Sequence, residues 1–239
     1  MVAQYYAAAR AAEDAADDTY QRANLEAGYW LMIDLDSSAS YRQRAGESRA
    51  FVRAEVLMRL MRLVTEESGD TLLLFKELGD GALIRATSFR AALELLCLLD
   101  GIKELWAVDV GHAASRPSLT FHAAITKGDA MGFNGDYFGA PIDRVARIAN
   151  ITSGAPDLLC VIEDAARVGH DLNLRAELPC LVFDPPSLVP TAILKQDEQP
   201  FLVASVRIDR EVFGNSTGYF RLIREAAPRV AELLSTSDR

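Results

Sequence analysis

Apolar and polar positions along the chain alternate in blocks that predict the order β-α-β-β-α-β. Residues 29–36 (YWLMIDLD) form a short apolar run ending in acids, which is typical of a buried strand. The predicted core elements, in chain order, are strand 29–36, helix 47–66, strand 71–78, strand 82–86, helix 89–99 and strand 118–128. This order predicts an α/β (α+β) fold with a ferredoxin-like βαββαβ core and C-terminal additions.

Segments on both sides of this core are interpreted as additions to it. Residues 2–26 are rich in Ala, Glu, Asp and Arg and predict a helix. We therefore divide the chain into a helical lead-in, 1–27, and one domain, 28–239. The predicted later elements are helix 140–149 started by Pro141, strand 158–162, a two-stranded hairpin over 191–208 and a closing helix over 218–235.

Composition narrows the possible functions. The net charge is −9 over 239 residues, which argues against a basic nucleic-acid-binding protein. An acidic protein that binds phosphates needs metal ions to neutralise them. The three cysteines form no C-x-x-C pair and indicate reduced thiols in a cytoplasmic protein. The N-terminus lacks the features of a signal peptide, and no apolar run is long enough to predict a membrane span.

Two aspartates are the main candidates for chemistry. Asp34 ends the first strand, and Asp80 lies in the Gly-Asp-Gly turn between the next two. These strands are neighbours in a ferredoxin-like sheet, so the two carboxylates should meet and repel unless a divalent ion binds between them. A two-metal site suits displacement at phosphorus. The alternative is that Asp34 caps a helix and Asp80 only completes a turn.

Three sequence blocks together resemble class III nucleotidyl cyclases, whose catalytic domain would then cover 28–239. LMIDLDSSAS (31–40) resembles the family's metal motif, and FKELGDGALIRA (75–86) resembles its Lys-x-x-Gly-Asp-Gly hairpin. DYFGAPIDRVARIA (136–149) resembles its Asp-x-x-Gly-x-x-Val-Asn-x-Ala-x-Arg segment. A fourth stretch, ITKGDAMG, is similar to the family's Ile-His-x-Gly strand, with Thr126 where His is usual.

The resemblance implies a metal site with two divalent ions, Mn²⁺ or Mg²⁺. Asp34 and Asp80 would bind them, and the carbonyl of Leu35 would supply a further ligand. The reaction implied is attack of a ribose 3′-hydroxyl on the α-phosphorus of a nucleoside triphosphate, with release of pyrophosphate.

Other residues acquire roles by the same resemblance. Lys76 and Asp136 would read the base, and Arg147 would stabilise charge on the transferring phosphate. Lys195 matches the family's C-terminal phosphate lysine. The family builds each site across a homodimer interface, so an obligate dimer with two equivalent sites is implied.

This sequence also departs from the family pattern. Asp143 stands where an asparagine orients the ribose, and a carboxylate cannot donate as an amide does. Ser37, Ser38 and Ala39 replace the usual Gly-Phe-Thr, so the lid over the triphosphate differs. We read Arg144 as a solvated helix charge and His122 as a satisfied core or edge histidine.

Base choice and biological role follow only as expectations. Lys76 with Asp136 favours adenine or cytosine, because both present a ring-nitrogen acceptor beside an exocyclic amine, although a small rotation of the base could serve uracil. In these departures, and in having a catalytic domain without an added membrane or sensor domain, the sequence is similar to the pyrimidine cyclases of Pycsar antiphage systems. Those enzymes make cyclic CMP or cyclic UMP, which activates a separate effector.

The alternatives are an adenylate cyclase, a catalytically silent cyclase-like module, and another palm-like phosphoryl-transfer enzyme such as a polymerase. Neither a nucleic-acid nor a membrane partner is expected.

Overall fold

One mixed sheet organises the part of the chain that the computed structural model describes, namely residues 24–108, 119–151, 158–163, 178–195, 198–209 and 211–212. The described strands are β1 (Asn24–Leu35), β2 (Leu72–Glu77), β3 (Gly81–Ala86), β4 (Phe121–Phe133), β5 (Asp136–Phe138), β6 (Leu158–Glu163), β7 (Leu181–Phe183), β8 (Ser187–Leu188) and β9 (Leu202–Ile208). The described helices are α1 (Ser38–Ala45), α2 (Glu47–Glu67), α3 (Phe89–Val108) and α4 (Ala140–Ala149).

The strand order confirms the predicted core. The sheet runs β2-β3-β1-β4-β6-β9-β7, and its first four strands are antiparallel in the ferredoxin-like order. β6 joins β4 in parallel, and β9 continues the sheet antiparallel to β6. β5 folds back on β4, and β8 pairs with β9. Among the described strands, the additions therefore extend the sheet beyond β4, and β2 remains the edge strand at the other side.

Alternation along β1 divides the apolar side chains between two layers, because successive residues of a strand point to opposite faces. Leu31, Ile33 and Leu35 join the larger core, to which α2 and α3 contribute. Trp30 joins the smaller core beneath α4 and donates its indole N–H to the Gly128 carbonyl at 2.9 Å. Asp34 has the parity of Trp30, so its carboxylate belongs to the α4 face of the sheet.

Two sequence predictions for flanking segments are wrong in part. β1 already begins at Asn24, so the helix predicted over 2–26 is wrong at 24–26, and residues 1–23 lie outside the described part. The hairpin predicted over 191–208 is wrong in its first half, since Thr191–Ile193 is a 3-10 turn. Prolines at 190 and 200 flank this stretch, and proline cannot donate to a strand ladder. The predicted closing helix, 218–235, also lies outside the described residues.

Two elements close to the site were missed. α1 contains no buried residue, so it leaves no hydrophobic period in the sequence. β5 follows β4 through Asn134 and Gly135, whose φ values of 53° and 79° make a tight hairpin turn. Asn-Gly is the strongest short hairpin signal in a sequence and could have predicted β5. None of the described helices is long and apolar enough to cross a bilayer.

Candidate active site

The end of β1 and the β2–β3 turn bring the two predicted metal acids together. Asp34 pairs with Gly81 in the β1–β3 ladder, and the Leu35 N–H donates to the Asp80 carbonyl at 3.0 Å. A Cβ on Gly81 would lie 2.7 Å from Asp34 Oδ1 and 2.7 Å from the Ile33 carbonyl oxygen. Glycine at 81 is therefore what lets the turn approach the Asp34 carboxylate.

The electrostatics of Asp34 show that the two acids interact. Burial raises the pKa of the Asp34 carboxyl, and the negative charge of Asp80 raises it further. His122 and the Leu35 N–H oppose this rise. His122 and Arg53 compensate the two carboxylates only in part, because the pKa of Asp34 stays raised, and a bound cation would relieve the remaining repulsion.

His122 is a site residue whose setting sequence reasoning missed. Its Nδ1 lies 2.8 Å from Asp36 Oδ1, and its Nε2 lies 3.5 Å from Asp34 Oδ2. The hydrogen bond with Asp36 is the main cause that raises the pKa of His122, and burial opposes it. The imidazole ring has polar partners, as expected, and these partners are the acids Asp36 and Asp34 at the end of β1. The antiparallel register places His122 directly opposite Asp34.

A cavity of about 270 Å³ opens beside Asp80, between α1, α2 and the turn that precedes β3. Arg42 and Arg53 line it. Arg53 is 2 % exposed, donates to the Asp36 carbonyl at 2.9 Å, and lies 4.9 Å from the Tyr41 ring centroid. Of the two predicted metal acids, Asp80 lines this cavity and Asp34 does not. The Asp80 carboxylate and the two guanidinium groups give the cavity a lining that suits a phosphate-bearing ligand.

The donor set fits a hard divalent cation that shares its coordination with phosphate. Asp34, Asp80 and the Leu35 carbonyl offer only oxygen atoms, the ligands that Mg²⁺ and Mn²⁺ prefer. The Leu35 carbonyl already accepts from the Ser38 hydroxyl at 3.1 Å, which leaves it one lone pair. Within the described ranges, no three His, Cys, Asp or Glu side chains gather as a complete cage. Mg²⁺ commonly binds through one or two carboxylates with substrate phosphates and water completing the shell.

The two predicted base-reading residues also lie together. Lys76 Nζ donates to Asp136 Oδ2 at 2.7 Å, and Asp136 Oδ1 accepts from the Tyr137 N–H at 2.9 Å. The hydrogen bond from Lys76 is the main cause that lowers the pKa of Asp136. The ring of Phe138 lies 5.9 Å from Lys76 Nζ, and half of its surface is exposed. The pair is therefore an accessible donor and acceptor at adjacent positions.

Behind this pair is an aromatic cluster of Trp30, Phe75 and Tyr137. The Trp30 and Tyr137 rings lie 4.9 Å apart, and Phe75 meets both edge-on at 5.9 and 5.0 Å. Because Trp30 is fully buried, this cluster is a packed support rather than an open stacking surface.

A third group of candidate site residues consists of Asp143, Arg144 and Arg147 on α4, together with Lys195 and Glu198. Arg147 donates through Nη1 and Nη2 to the Glu198 carboxylate at 2.6 and 3.0 Å. Lys195 Nζ pairs with the Asp143 carboxylate. Asp143, which replaces the family asparagine, therefore has its charge balanced within the same chain.

Arg144 corrects a sequence interpretation. We read it as a solvated charge, but only 25 % of its side chain is exposed. It pairs with Glu163 and Glu198 and stacks over the Phe201 ring at 4.7 Å. Sequence reasoning also missed Glu198, because its partners lie about 50 residues away and no periodic pattern marks the segment.

The three groups remain apart within the described protomer. There, no hydrogen bond or ion pair joins Asp34 or Asp80 to Lys76, Asp136 or Arg147. Each group is assembled by its own contacts.

No protein-family model matches the chain, and no curated protein matches it either. Solved structures do match. An adenylate/guanylate cyclase/hydrolase from Silicibacter pomeroyi is 19 % identical over 78 % of this chain and 100 % of its own, with a TM-score of 0.53. The adenylyl cyclase CyaB from P. aeruginosa is 12 % identical over 77 % of this chain and 95 % of its own, with a TM-score of 0.53.

A third neighbour is the guanylate cyclase domain of RhGC from Catenaria anguillulae, determined in complex with GTP. It is 13 % identical over 77 % of this chain and 98 % of its own, with a TM-score of 0.55. At these identities the likeness concerns the fold, and the same fold hosts different functions. The chain has the mixed α and β fold of the class III adenylate and guanylate cyclase catalytic domain.

Proposed function

We propose that this protein is a nucleotidyl cyclase, which closes a nucleoside triphosphate into a 3′,5′-cyclic monophosphate. The observation that carries the proposal is the convergence of Asp34 and the Asp80 turn at one end of the sheet. Two acids held against their mutual repulsion are a costly arrangement unless a cation joins them. The cyclase fold, the arginine-lined cavity beside Asp80 and the Lys76–Asp136 pair each support the same reaction.

The chain's own residues would divide the work as follows. Asp34, Asp80 and the Leu35 carbonyl would hold two divalent ions, Mn²⁺ or Mg²⁺, which lower the pKa of the attacking hydroxyl and neutralise the leaving pyrophosphate. The 3′-hydroxyl would lose its proton to solvent water, and the bond from O3′ to the α-phosphorus would form as the bond from that phosphorus to pyrophosphate breaks. Arg147 would stabilise the charge that develops on the phosphate oxygens.

The ribose site would use an aspartate in place of the usual amide. Asp143 accepts from Lys195, so the pair presents both a carboxylate acceptor and an ammonium donor. The pair therefore offers the donor and the acceptor that an amide would provide. The positive charge of Lys195 also offsets the negative charge of Asp143, which would otherwise repel phosphate. It favours an active enzyme over a silent cyclase-like module.

We further propose that the base is cytosine or adenine. The ammonium of Lys76 and the carboxylate of Asp136 are 2.7 Å apart, close enough to address neighbouring atoms on one base edge. Cytosine offers N3 and its amine there, and adenine offers N1 and its amine. Guanine and uracil present the reverse pattern of a carbonyl beside a ring N–H.

A pyrimidine product that serves as an antiphage messenger, with a separate effector, is our preferred biological role. It rests on the sequence departures at Ser37, Ser38, Ala39 and Asp143 and on the resemblance to Pycsar cyclases inferred from the sequence alone. The alternative is an adenylate cyclase, which the Lys76–Asp136 pair supports equally. The named structural neighbours are adenylate and guanylate cyclases, so substrate choice has to be measured on this chain.

The site would be completed by a second copy of the chain. The metal acids of one protomer would face the base readers and Arg147 of the other, since the described protomer does not join these groups itself. A homodimer with two equivalent sites satisfies this requirement.

The experiment is an assay of purified protein with Mn²⁺ and each of ATP, GTP, CTP and UTP, with products identified by mass spectrometry. A 3′,5′-cyclic product with equimolar pyrophosphate is expected, most abundantly from CTP or ATP. A linear or dinucleotide product would support a palm-like polymerase or dinucleotide cyclase instead. No product from any of the four would favour the silent module.

A further inference from the structure

Four donors converge on the carboxylate of Glu198. Arg147 donates from Nη1 to Oε2 at 2.6 Å and from Nη2 to Oε1 at 3.0 Å. Arg144 Nε approaches Oε1 at 3.4 Å, and the Lys195 N–H donates to Oε2 at 3.0 Å. Two guanidinium groups and one backbone N–H around a small anion form the arrangement that proteins use for phosphate.

The positions on α4 explain this convergence. Residues three apart on a helix lie on neighbouring turns of the same face, so Arg144 and Arg147 present their guanidinium groups together. Both side chains are largely covered, with 25 % and 22 % of their surface exposed, and the Glu198 side chain is 16 % exposed. The interaction is therefore only partly screened by solvent, and it lowers the pKa of Glu198 to about 2.

Arg147 has little capacity left for a substrate while Glu198 is bound. Its Nε donates to the Asp143 carbonyl at 3.2 Å, and its Nη1 also donates to the Ile193 carbonyl. With the two bonds to Glu198, four of the five guanidinium hydrogens are engaged. A phosphate could not take the paired Nη1 and Nη2 donors until the carboxylate leaves.

The carbonyl contacts argue that Glu198 is not needed to position Arg147. The Asp143 and Ile193 carbonyls already fix the guanidinium from two sides, one on its own helix and one on the 3-10 turn. Glu198 is therefore not required to orient the guanidinium group of Arg147. Its carboxylate occupies the edge of that group that a phosphate would use.

We propose that Arg144, Arg147 and the Lys195 N–H form a phosphate subsite, and that Glu198 occupies this subsite as an internal competitor when no nucleotide is bound. The proposal rests on the proposed function for the role of Arg147. It adds Arg144 to the phosphate-binding residues and makes displacement of Glu198 a step in substrate binding. The ligand class is a polyphosphate chain.

The direct test measures binding of inorganic tripolyphosphate by calorimetry in the absence of divalent cations, so that Asp34 and Asp80 contribute nothing favourable. Glu198→Gln keeps the shape of the side chain but removes its charge, so the competitor is weakened. We expect roughly tenfold tighter binding, because the fraction of protein with an open subsite rises. The matched control is Glu94→Gln, which removes the acid of a surface pair with Arg90 on α3 and should leave the affinity unchanged.

Two further variants identify the subsite. Glu198→Gln combined with Arg147→Ala should lose the gain, because the freed arginine is gone. Arg144→Gln combined with Glu163→Gln removes Arg144 without stranding its buried partner, and should weaken tripolyphosphate binding several-fold. If this double variant binds tripolyphosphate as tightly as the wild type, Arg144 does not belong to the subsite. Weaker or equal binding in Glu198→Gln alone would overturn the competitor role and make Glu198 a positioning residue.

Steady-state kinetics separate this proposal from the proposed function. A competitor that leaves when substrate binds predicts a lower KM in Glu198→Gln with kcat little changed. Tighter tripolyphosphate binding by a protein with no cyclase activity would sustain the subsite and refute the proposed function. An active wild type whose Glu198→Gln variant shows reduced kcat and no gain in affinity would sustain the proposed function and refute the competitor role of Glu198.

Discussion

At the scale of single residues, the site is defined by carboxylates whose charges need partners. Asp136 has Lys76, Asp143 has Lys195, and Glu198 has Arg147. Asp34 differs, because burial and Asp80 both raise the pKa of its carboxyl and only His122 and one N–H oppose them. His122 and Arg53 offset part of the negative charge at the end of β1, and a divalent cation bound there would offset more of it.

Asp80→Ala should abolish cyclisation while the protein stays folded. A turn carboxylate contributes little packing, whereas loss of one metal ligand should lower kcat at least ~100-fold. Product formation and thermal unfolding measured on the same sample check this. Asp70→Ala, which removes an exposed acid from the 3-10 turn before β2, is the control and should retain activity. Full activity in Asp80→Ala would contradict the metal assignment.

Lys76→Gln should change base preference more than metal dependence. Glutamine can both donate and accept, so the strict donor at this position is lost and the relative rates with the four triphosphates should converge. The Mn²⁺ concentration for half-maximal rate should stay within about twofold, since no hydrogen bond or ion pair joins Lys76 to Asp34 or Asp80 in the described residues. Identical rate ratios in variant and wild type would show that Lys76 does not read the base.

Glu198 should make a pH-dependent contribution to stability. Its pKa is lowered from 4.5 to about 2, chiefly by the hydrogen bond from Arg147. A carboxylate with a lowered folded-state pKa stabilises the fold above its unfolded value and loses that contribution as the pH falls toward the folded value. The difference in free energy of unfolding between wild type and Glu198→Gln should therefore shrink from pH 4.5 to about 2. Urea unfolding across this range measures it, and a constant difference would contradict the pairing.

At the scale of elements, strands and turns determine which residues meet. The β1 run, the Gly-Asp-Gly turn and the β3 run are local signals, and the sequence was sufficient to predict that Asp34 and Asp80 converge. The first half of the 191–208 segment was mispredicted, because apolar residues there lie between prolines that exclude a strand. The contact of Arg147 with Glu198 depends on how that segment folds back over α4, and no local pattern encodes it.

Gly81→Ala tests the close approach of the turn to β1. The added Cβ would meet Asp34 Oδ1 and the Ile33 carbonyl at 2.7 Å each, so the hairpin or the carboxylate must move. We expect a loss of about 2 kcal/mol in stability together with a marked loss of activity. Gly28→Ala is the control, because its Cβ would meet the Arg85 side chain at 3.2 Å and no backbone atom as closely as at residue 81, so it should cost less. Equal effects of both changes would argue against a specific fit at residue 81.

At the scale of the whole molecule, the described protomer holds three groups of residues, each assembled by its own contacts. These groups are Asp34 with Asp80, Lys76 with Asp136, and Arg147 with Glu198, and no hydrogen bond or ion pair joins one group to another in the described residues. A second copy related by a twofold axis would bring the acids of one protomer to the other two groups of its partner. Dimerisation would then be a condition for activity.

Complementation between two inactive variants tests this account most directly. Asp80→Ala and Arg147→Ala, carried on differently tagged chains, should each be inactive alone with the preferred triphosphate and Mn²⁺. Random pairing on co-expression gives heterodimers in half of the molecules, each with one intact site, so about a quarter of wild-type cyclase activity should return. A co-expressed mixture as inactive as its parents, beside an active wild type, would contradict a site shared between protomers that needs both Asp80 and Arg147.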